Sequence, residues 1–447
     1  MTMRHSKSIK AAAAIIAISL ACLSIASLLV QSAANKHVMK EIPTLHNLIE
    51  QHLRRNLIRH PNRKQATSEQ EETSTNNDDA ASFDPNSYAY LIIHYHKTGH
   101  HLSRSLRDFL VAGTPDGPVS NNRENTFQHR MHEENTGCPQ AMTLSPGIIH
   151  VQAAPNFFCD TNILVEYLLR NDNMFQEKKG VKIIHLVRNP FSLAVSNWIY
   201  HAQYPTPELW VKSIDPCTEE LWFDRQSLGD LVRPTLLLGD DPVMQYDDFE
   251  SLHRVCTELY RTRDEAKEWS FYTHLRHLDP QSALSLATTH MMIQGKSGGD
   301  ILRMASNIVK LKQLQQLEDQ IRLSQHVPSP EPHERMIQVM TLSMQEFTEH
   351  PKAATLRFLD FALGDASPPE VKVGIAREYK KSYDEKVKKG DEHITNDKEI
   401  MNGQQENIVE KKEELEGYLR EHELFGRVLG NIERLVQDAL RDSGSAT

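Results

Sequence analysis

Positive charge is not in excess here: the 447-residue chain carries 60 acidic side chains against 50 Lys and Arg, a formal net charge of -10. Bulk attraction to nucleic acid is thereby excluded, and any anion must be met by local basic spots. No internal repeat is visible. Asn-x-Ser/Thr is absent throughout, so N-glycan attachment gives no help with compartment. A complete nucleotide-binding P-loop is also missing. Gly295-Lys296-Ser297 resembles the end of one, yet His290 stands where the pattern demands glycine, and the preceding Ala283 to Ile293 reads as helix rather than strand. Gly295 to Gly299 is therefore read as a loop capping the next helix, and a kinase is rejected.

Long apolar runs are lacking except for one. Ala11 to Val30 is uncharged and mostly apolar; as a helix it would be about 30 Å long, enough to cross a hydrocarbon core. Arg4, Lys7 and Lys10 precede it, which keeps the N-terminus cytosolic and sends the rest across. A cleaved signal peptide is the alternative, helped by Ser32-Ala33-Ala34. The length of the run favours an uncleaved anchor. The organisation that follows is a cytosolic tail over 1–10, a transmembrane anchor over 11–30 and a stem over 31–87. The stem has a basic patch (Arg54, Arg55, Arg59, Arg63, Lys64), then a polar acidic tract over 69–80. Such composition buries too little apolar area to offset chain entropy. Cys138, Cys159, Cys217 and Cys256 lie beyond the anchor. They permit one or two disulfides, with three full pairings, or four buried thiols.

From 88 to 365 short apolar runs alternate with helical stretches, the pattern of an α/β domain. Strands are expected over Ala89 to His94, Gly147 to Gln152 and Lys182 to Val187. Helices are expected over Leu102 to Val111, Asn162 to Asn171, Phe191 to Ala202, Asp248 to Lys267, Ala283 to Ile293, Gly299 to Leu323, His333 to Glu349 and Pro351 to Phe361. Pro368 and Pro369 mark a break. Beyond it a helical extension over 366–447 holds one long helix, Asn407 to Asp442, which covers the domain or pairs with another chain.

Two junctions stand out. In the first, Leu91-Ile92-Ile93-His94-Tyr95-His96-Lys97-Thr98-Gly99, an apolar strand runs into a tight turn. A helix then begins, with Leu102, Leu106, Phe109 and Leu110 on one face. Such a turn aims backbone N–H groups and a helix N-terminus at one spot suited to phosphate or sulfate, and Lys97 adds a cation. In the second, Lys182 to Val187 ends in Arg188-Asn189-Pro190 before another helix that carries Ser196. A guanidinium fork binds phosphate oxygens in pairs, and Ser196, about two helical turns in, could join it. Either junction alone is weak. In this order, about ninety residues apart, they read as two anion sites.

Lys-Thr-Gly followed by Arg-x-Pro…Ser resembles the PAPS-dependent sulfotransferase family, and anchor, stem and domain together look like a Golgi carbohydrate sulfotransferase. The resemblance implies a three-layer, sulfotransferase-like P-loop fold with a mostly parallel central sheet. It implies a co-substrate, 3′-phosphoadenosine-5′-phosphosulfate (PAPS), and a glycan or glycoconjugate acceptor, with no metal and no nucleic acid. It further implies a single-pass type II protein of the Golgi membrane with its catalytic domain lumenal. Lys97 would bind the bridging and sulfonate oxygens, and Thr98 and Gly99 would supply turn contacts. Arg188 and Ser196 would clamp the 3′-phosphate. His100 and His101 stand where the family usually has Thr or Ser; they would offer backbone amides and imidazole N–H groups.

The family also needs a base for the acceptor's proton. His150, read at the end of a strand, is the candidate; His129, His132 and Glu166 are weaker ones. Zinc is set aside because no Cys or carboxylate lies at familiar spacing beside His94, His96, His100 and His101. Trp198 and Tyr200 pack against a cofactor ring or in the core. His393-Ile394-Thr395 with Lys398 is a candidate late segment closing over the cofactor. A lumenal binding or scaffold protein that keeps the fold without the catalysis is the competing class.

Overall fold

The computed structural model describes residues 87–114, 147–155, 180–203, 246–261, 270–293, 299–324, 335–389 and 408–444, with positions 144, 157, 164, 243 and 244. The expected span 11–30, most of the stem, the helix expected over 162–171 apart from Leu164, and Cys138, Cys159 and Cys217 lie outside them. Among the described residues no helix is long and apolar enough to cross a membrane.

In chain order the elements are β1 (Tyr88–His94), α1 (His100–Gly113), β2 (Ile149–Ala153), β3 (Gly180–Val187), α2 (Pro190–Gln203), α3 (Tyr246–Arg261), α4 (Phe271–His277), α5 (Pro280–Ile293) and α6 (Asp300–Ser324). Then come β4 (Ile337–Ser343), α7 (Met344–Glu349), α8 (Pro351–Leu363), α9 (Pro369–Lys389), α10 (Ile408–Glu421) and α11 (Glu423–Asp442). The four strands form one sheet in the order β2-β1-β3-β4. Every pairing is parallel, with Leu91 opposite His150 and Ile183, and Ile183 opposite Val339. The chain is α/β.

All seven residues of β1 and all eight of β3 are buried, as parallel strands covered on both faces must be. On one face Tyr90, Ile92, Ile184, Leu186, Met340 and Leu342 pack with Leu102, Leu106 and Leu110 of α1 and with Phe358 and Leu359 of α8. The opposite face carries Leu91, Ile93 and Ile183, which are no less buried. Lys182 is drawn into the first face. Its ammonium donates to the carbonyls of Phe361 (2.6 Å) and Ala362 (3.3 Å) at the end of α8, where a helix dipole favours a cation. Burial nevertheless pulls it down to about 7. From β1 the chain crosses to β2 on one side, and β3 lies on the other. The ends of β1 and β3 therefore flank a switch point, where open α/β sheets place ligands.

Two expectations need correction. The helix read over His333 to Glu349 is β4 followed by the short α7. Ile337, Val339 and Thr341 are β-branched and alternate as a strand requires, and pairing with β3 along its whole length fixes the strand. The single helix read over Asn407 to Asp442 is two helices, broken at His422. At that corner a Cβ on Gly426 would lie 2.2 Å from the Arg420 carbonyl oxygen, so only glycine lets the two segments approach. The extension expected to be helical after Pro368 is helical over α9, which starts on Pro369, a residue pre-organised for a first helical position.

Candidate functional site

The first turn is made by backbone that few residues accept. Lys97 is left-handed at φ 59°, and Gly99 follows at φ 111°. Between them Thr98 is fully buried. Its hydroxyl donates to the Tyr95 carbonyl (2.9 Å) and accepts from the Tyr95 amide, while its own amide donates to the same carbonyl (3.0 Å). Thr98 thus serves the turn itself, with neither hydroxyl nor amide left for a ligand. Gly99 begins α1 and its carbonyl accepts from the Ser103 amide (2.8 Å). No side chain caps this helix and no acidic residue occupies its first turn. The exposed His100 and His101 stand at that uncapped start, and the His100 ring meets the buried His94 ring edge-on at 5.1 Å.

The second junction reaches across to the first. Arg188 leaves the end of β3 and its Nη1 donates to the carbonyl of Lys97 (3.1 Å). The Lys97 ammonium lies over the Tyr200 ring on α2, 2.7 Å from its centroid, a cation–π contact. His96 adds an edge-on contact to Tyr200 (5.8 Å) and stacks on His201 (5.1 Å). Lys97 and Arg188 therefore belong to one cluster at the carboxyl edge of adjacent strands. Ser196 is buried on α2, one turn before Tyr200 and on its face; its hydroxyl takes no part in the Arg188–Lys97 contact. Trp198 is in the core, whereas Tyr200 stays partly open under Lys97.

The second helix start is closed from within. Asn189 Oδ1 accepts from the amides of Phe191 (2.9 Å) and Ser192 (3.3 Å), and its carbonyl accepts from Leu193 (2.9 Å). This is a side-chain N-cap. The C-terminal helices hold it. Asn189 Nδ2 donates to Glu433 of α11, and Ser192 Oγ donates to Glu416 of α10 (2.6 Å). Arg420 forks onto both oxygens of Glu433 at 2.8 Å and covers the Phe191 ring at 3.9 Å. Those hydrogen bonds, Arg420's before Asn189's, hold the Glu433 carboxyl below its usual range.

His150 does not stand where the sequence suggested. Its strand runs on to Ala153, so His150 is the second residue of β2, 1 % exposed and opposite Leu91. That is about 10 Å short of the carboxyl edge at the usual rise per strand residue. The weaker candidates His129, His132 and Glu166 lie outside the described residues, as do His393 to Lys398. Gly299 is as expected at the entry to α6, and the segment before it is helix α5. No group of three His, Cys, Asp or Glu able to hold a metal ion occurs among the described residues. Cys256 is disulfide-bonded, and no other cysteine is described.

Residues unremarked in the sequence also reach this edge. Asp300 of α6 accepts the amide of His96 (3.0 Å), and Arg303 donates to the carbonyl of Ala154 (3.3 Å). Asn307 Nδ2 donates to Tyr95 Oη at 2.8 Å. Their spacing on one helix face was the signal available, yet nothing in the residue types linked them to the turn. No family model matches the chain, and neither the curated proteins nor the solved structures contain a match.

Proposed function

We propose that the chain is a PAPS-dependent sulfotransferase with a sulfotransferase-like P-loop fold. In this reading it is held in the Golgi membrane by one N-terminal helix and acts in the lumen on a hydroxyl or amino group of a glycan. The observation that carries the proposal is the 3.1 Å contact between Arg188 and the Lys97 turn. Two cations from separate strand ends meet at one switch point, beside a helix start that lacks a cap. A nucleotide with anionic groups at both ends fits that donor set. The disulfide at Cys256 agrees with a secretory route.

In this reaction the acceptor oxygen or nitrogen attacks sulfur in line, the sulfur–oxygen bond to the 5′-phosphate breaks, and 3′,5′-bisphosphoadenosine (PAP) leaves. Charge on the leaving oxygens is met by the Lys97 ammonium and the amides of His100 and His101. Arg188, with Ser196, would hold the 3′-phosphate, so positioning carries much of the barrier reduction. The acceptor's proton needs a base at the carboxyl edge. His150 lies too deep in β2 for that; the exposed His100 and His101 are nearer the turn.

A binding or scaffold protein is the second reading. It is favoured by the inward commitment of Thr98 and by histidines in place of hydroxyls after Gly99. Full-length protein in detergent, given radiolabelled PAPS and a panel of glycan and protein acceptors, separates the two. Transfer that Lys97→Ala abolishes is expected. Arg188→Ala should weaken PAP binding roughly 10- to 100-fold, the worth of a hydrogen bond to a charged group at ~1.5–3 kcal/mol. Equal PAP binding by Arg188→Ala would overturn the assignment, and binding without transfer across the panel would favour the scaffold. Stabilisation by ATP but not PAP would return the chain to the nucleotide kinases.

A further inference from the structure

We infer that one polar face of α6, formed by Asp300, Arg303 and Asn307, positions the first anion turn, and that Asn307 is the residue on which this placement depends. The inference rests on the sulfotransferase reading only for the identity of the ligand. The three residues are spaced i, i+3, i+7, so they share a helix face. Each meets the chain just past a strand end. Asp300 takes the amide of His96 and Arg303 the carbonyl of Ala154.

Asn307 does more. It is fully buried, and its two amide hydrogens go to Tyr95 Oη (2.8 Å) and the Pro155 carbonyl (2.7 Å). Its oxygen accepts the Phe157 amide (3.2 Å). One side chain thereby joins the segment after β1 to the segment after β2, with its donors satisfied. Tyr95 Oη, accepting from Asn307, also hydrogen-bonds Nε2 of His185 on β3 (2.7 Å). His185 stays neutral, since burial pulls its pKa down to about 3. The link from α6 to the turn passes through Tyr95, because Thr98 folds back onto that residue's amide and carbonyl. Thr98 in turn fixes Lys97 and Gly99 on either side. Asn307 is a positioning residue, one step removed from any ligand.

Two variants of the full-length protein test this. Asn307→Asp keeps the shape and removes both N–H donors; Tyr95→Phe keeps the ring and removes the bridging hydroxyl. Leu252→Ala, buried on α3 and outside the core cluster that holds Leu102, is the control for loss of stability away from the turn. Amide hydrogen exchange over His94 to Ser103 needs no ligand and is read first. We expect at least tenfold faster exchange there in both variants, with α9 unchanged, and a roughly tenfold higher Kd for PAP. Leu252→Ala should lower Tm yet leave turn exchange and PAP affinity within twofold of the wild type. Unchanged turn exchange in both variants, or equal loosening by Leu252→Ala, overturns the inference. If the wild-type protein binds no PAP, the proposed function fails, while the exchange result still decides the role of Asn307.

Discussion

At the end of β1 the next helix starts on Gly99, in left-handed backbone, with no side chain over its first amides. At the end of β3 the next helix starts after Asn189, whose Oδ1 takes the amides of Phe191 and Ser192. The first start has no acidic neighbour in its opening turn; the second has Glu433 and Glu416 hydrogen-bonded to Asn189 and Ser192. Two junctions that read alike in sequence are thus unlike as anion sites. The first can offer backbone amides and a helix dipole. The second has used its amides and keeps only side chains, Arg188 foremost. A doubly anionic ligand would be gripped at one end by main chain plus ammonium and at the other by guanidinium.

Gly99→Ala attacks the first junction where it is least tolerant. The φ of 111° is strained for any Cβ, and that Cβ would lie 3.1 Å from the Leu102 Cβ. A cost of about 1–2 kcal/mol in unfolding free energy is expected, with PAP binding lost alongside. Asn189→Ala attacks the second junction and should cost about 1 kcal/mol, the usual worth of an N-cap. PAP affinity should stay within threefold of the wild type, because no ligand uses those amides. Calorimetric titration of both variants with PAP checks the pair. Loss of binding in Asn189→Ala as complete as in Gly99→Ala would erase the distinction between the junctions.

Much of this frame was legible in the sequence. β1, β3, α1 and α2 announce themselves through apolar runs that end in Lys-Thr-Gly or Arg-Asn-Pro. β4 was harder to see, because its alternating β-branched residues Ile337, Val339 and Thr341 run without a break into the helix formers of α7, Met344 to Glu349. Register also hid the depth of His150, since the strand could end at either side of it and pairing with β1 carries it on to Ala153. The roles of Thr98 and Asn307 were invisible for a different reason. A threonine in a turn and an asparagine in a long helix acquire meaning only from what folds against them, Tyr95 in both cases. Asn189 was read only as part of a turn; its cap is local, made with Phe191 and Ser192, whereas its tie to Glu433 depends on a helix more than two hundred residues away.

That tie gives the smallest and most specific way to sharpen the comparison. Hydrogen bonds from Arg420 and then Asn189 hold the Glu433 carboxyl below the ordinary glutamate range. The unfolded chain therefore binds more protons than the folded one as pH falls below about 4.5. Its stabilising contribution is complete above that pH and disappears as pH drops through the lower folded value. Arg420 is 44 % exposed, so solvent screening keeps the pair to about 0.2–1 kcal/mol. Glu433→Gln should accordingly be slightly less stable than the wild type at pH 7, and the gap should close as pH falls through the lowered folded value, where the carboxylate is lost. Because every other carboxylate titrates in both proteins, the difference between their Tm curves isolates this one. A gap that stays constant as pH is lowered from 7 until the carboxylate is protonated would mean that the charge on Glu433 does not help to hold the second helix start, and that Asn189 caps α2 without help from the C-terminal helices.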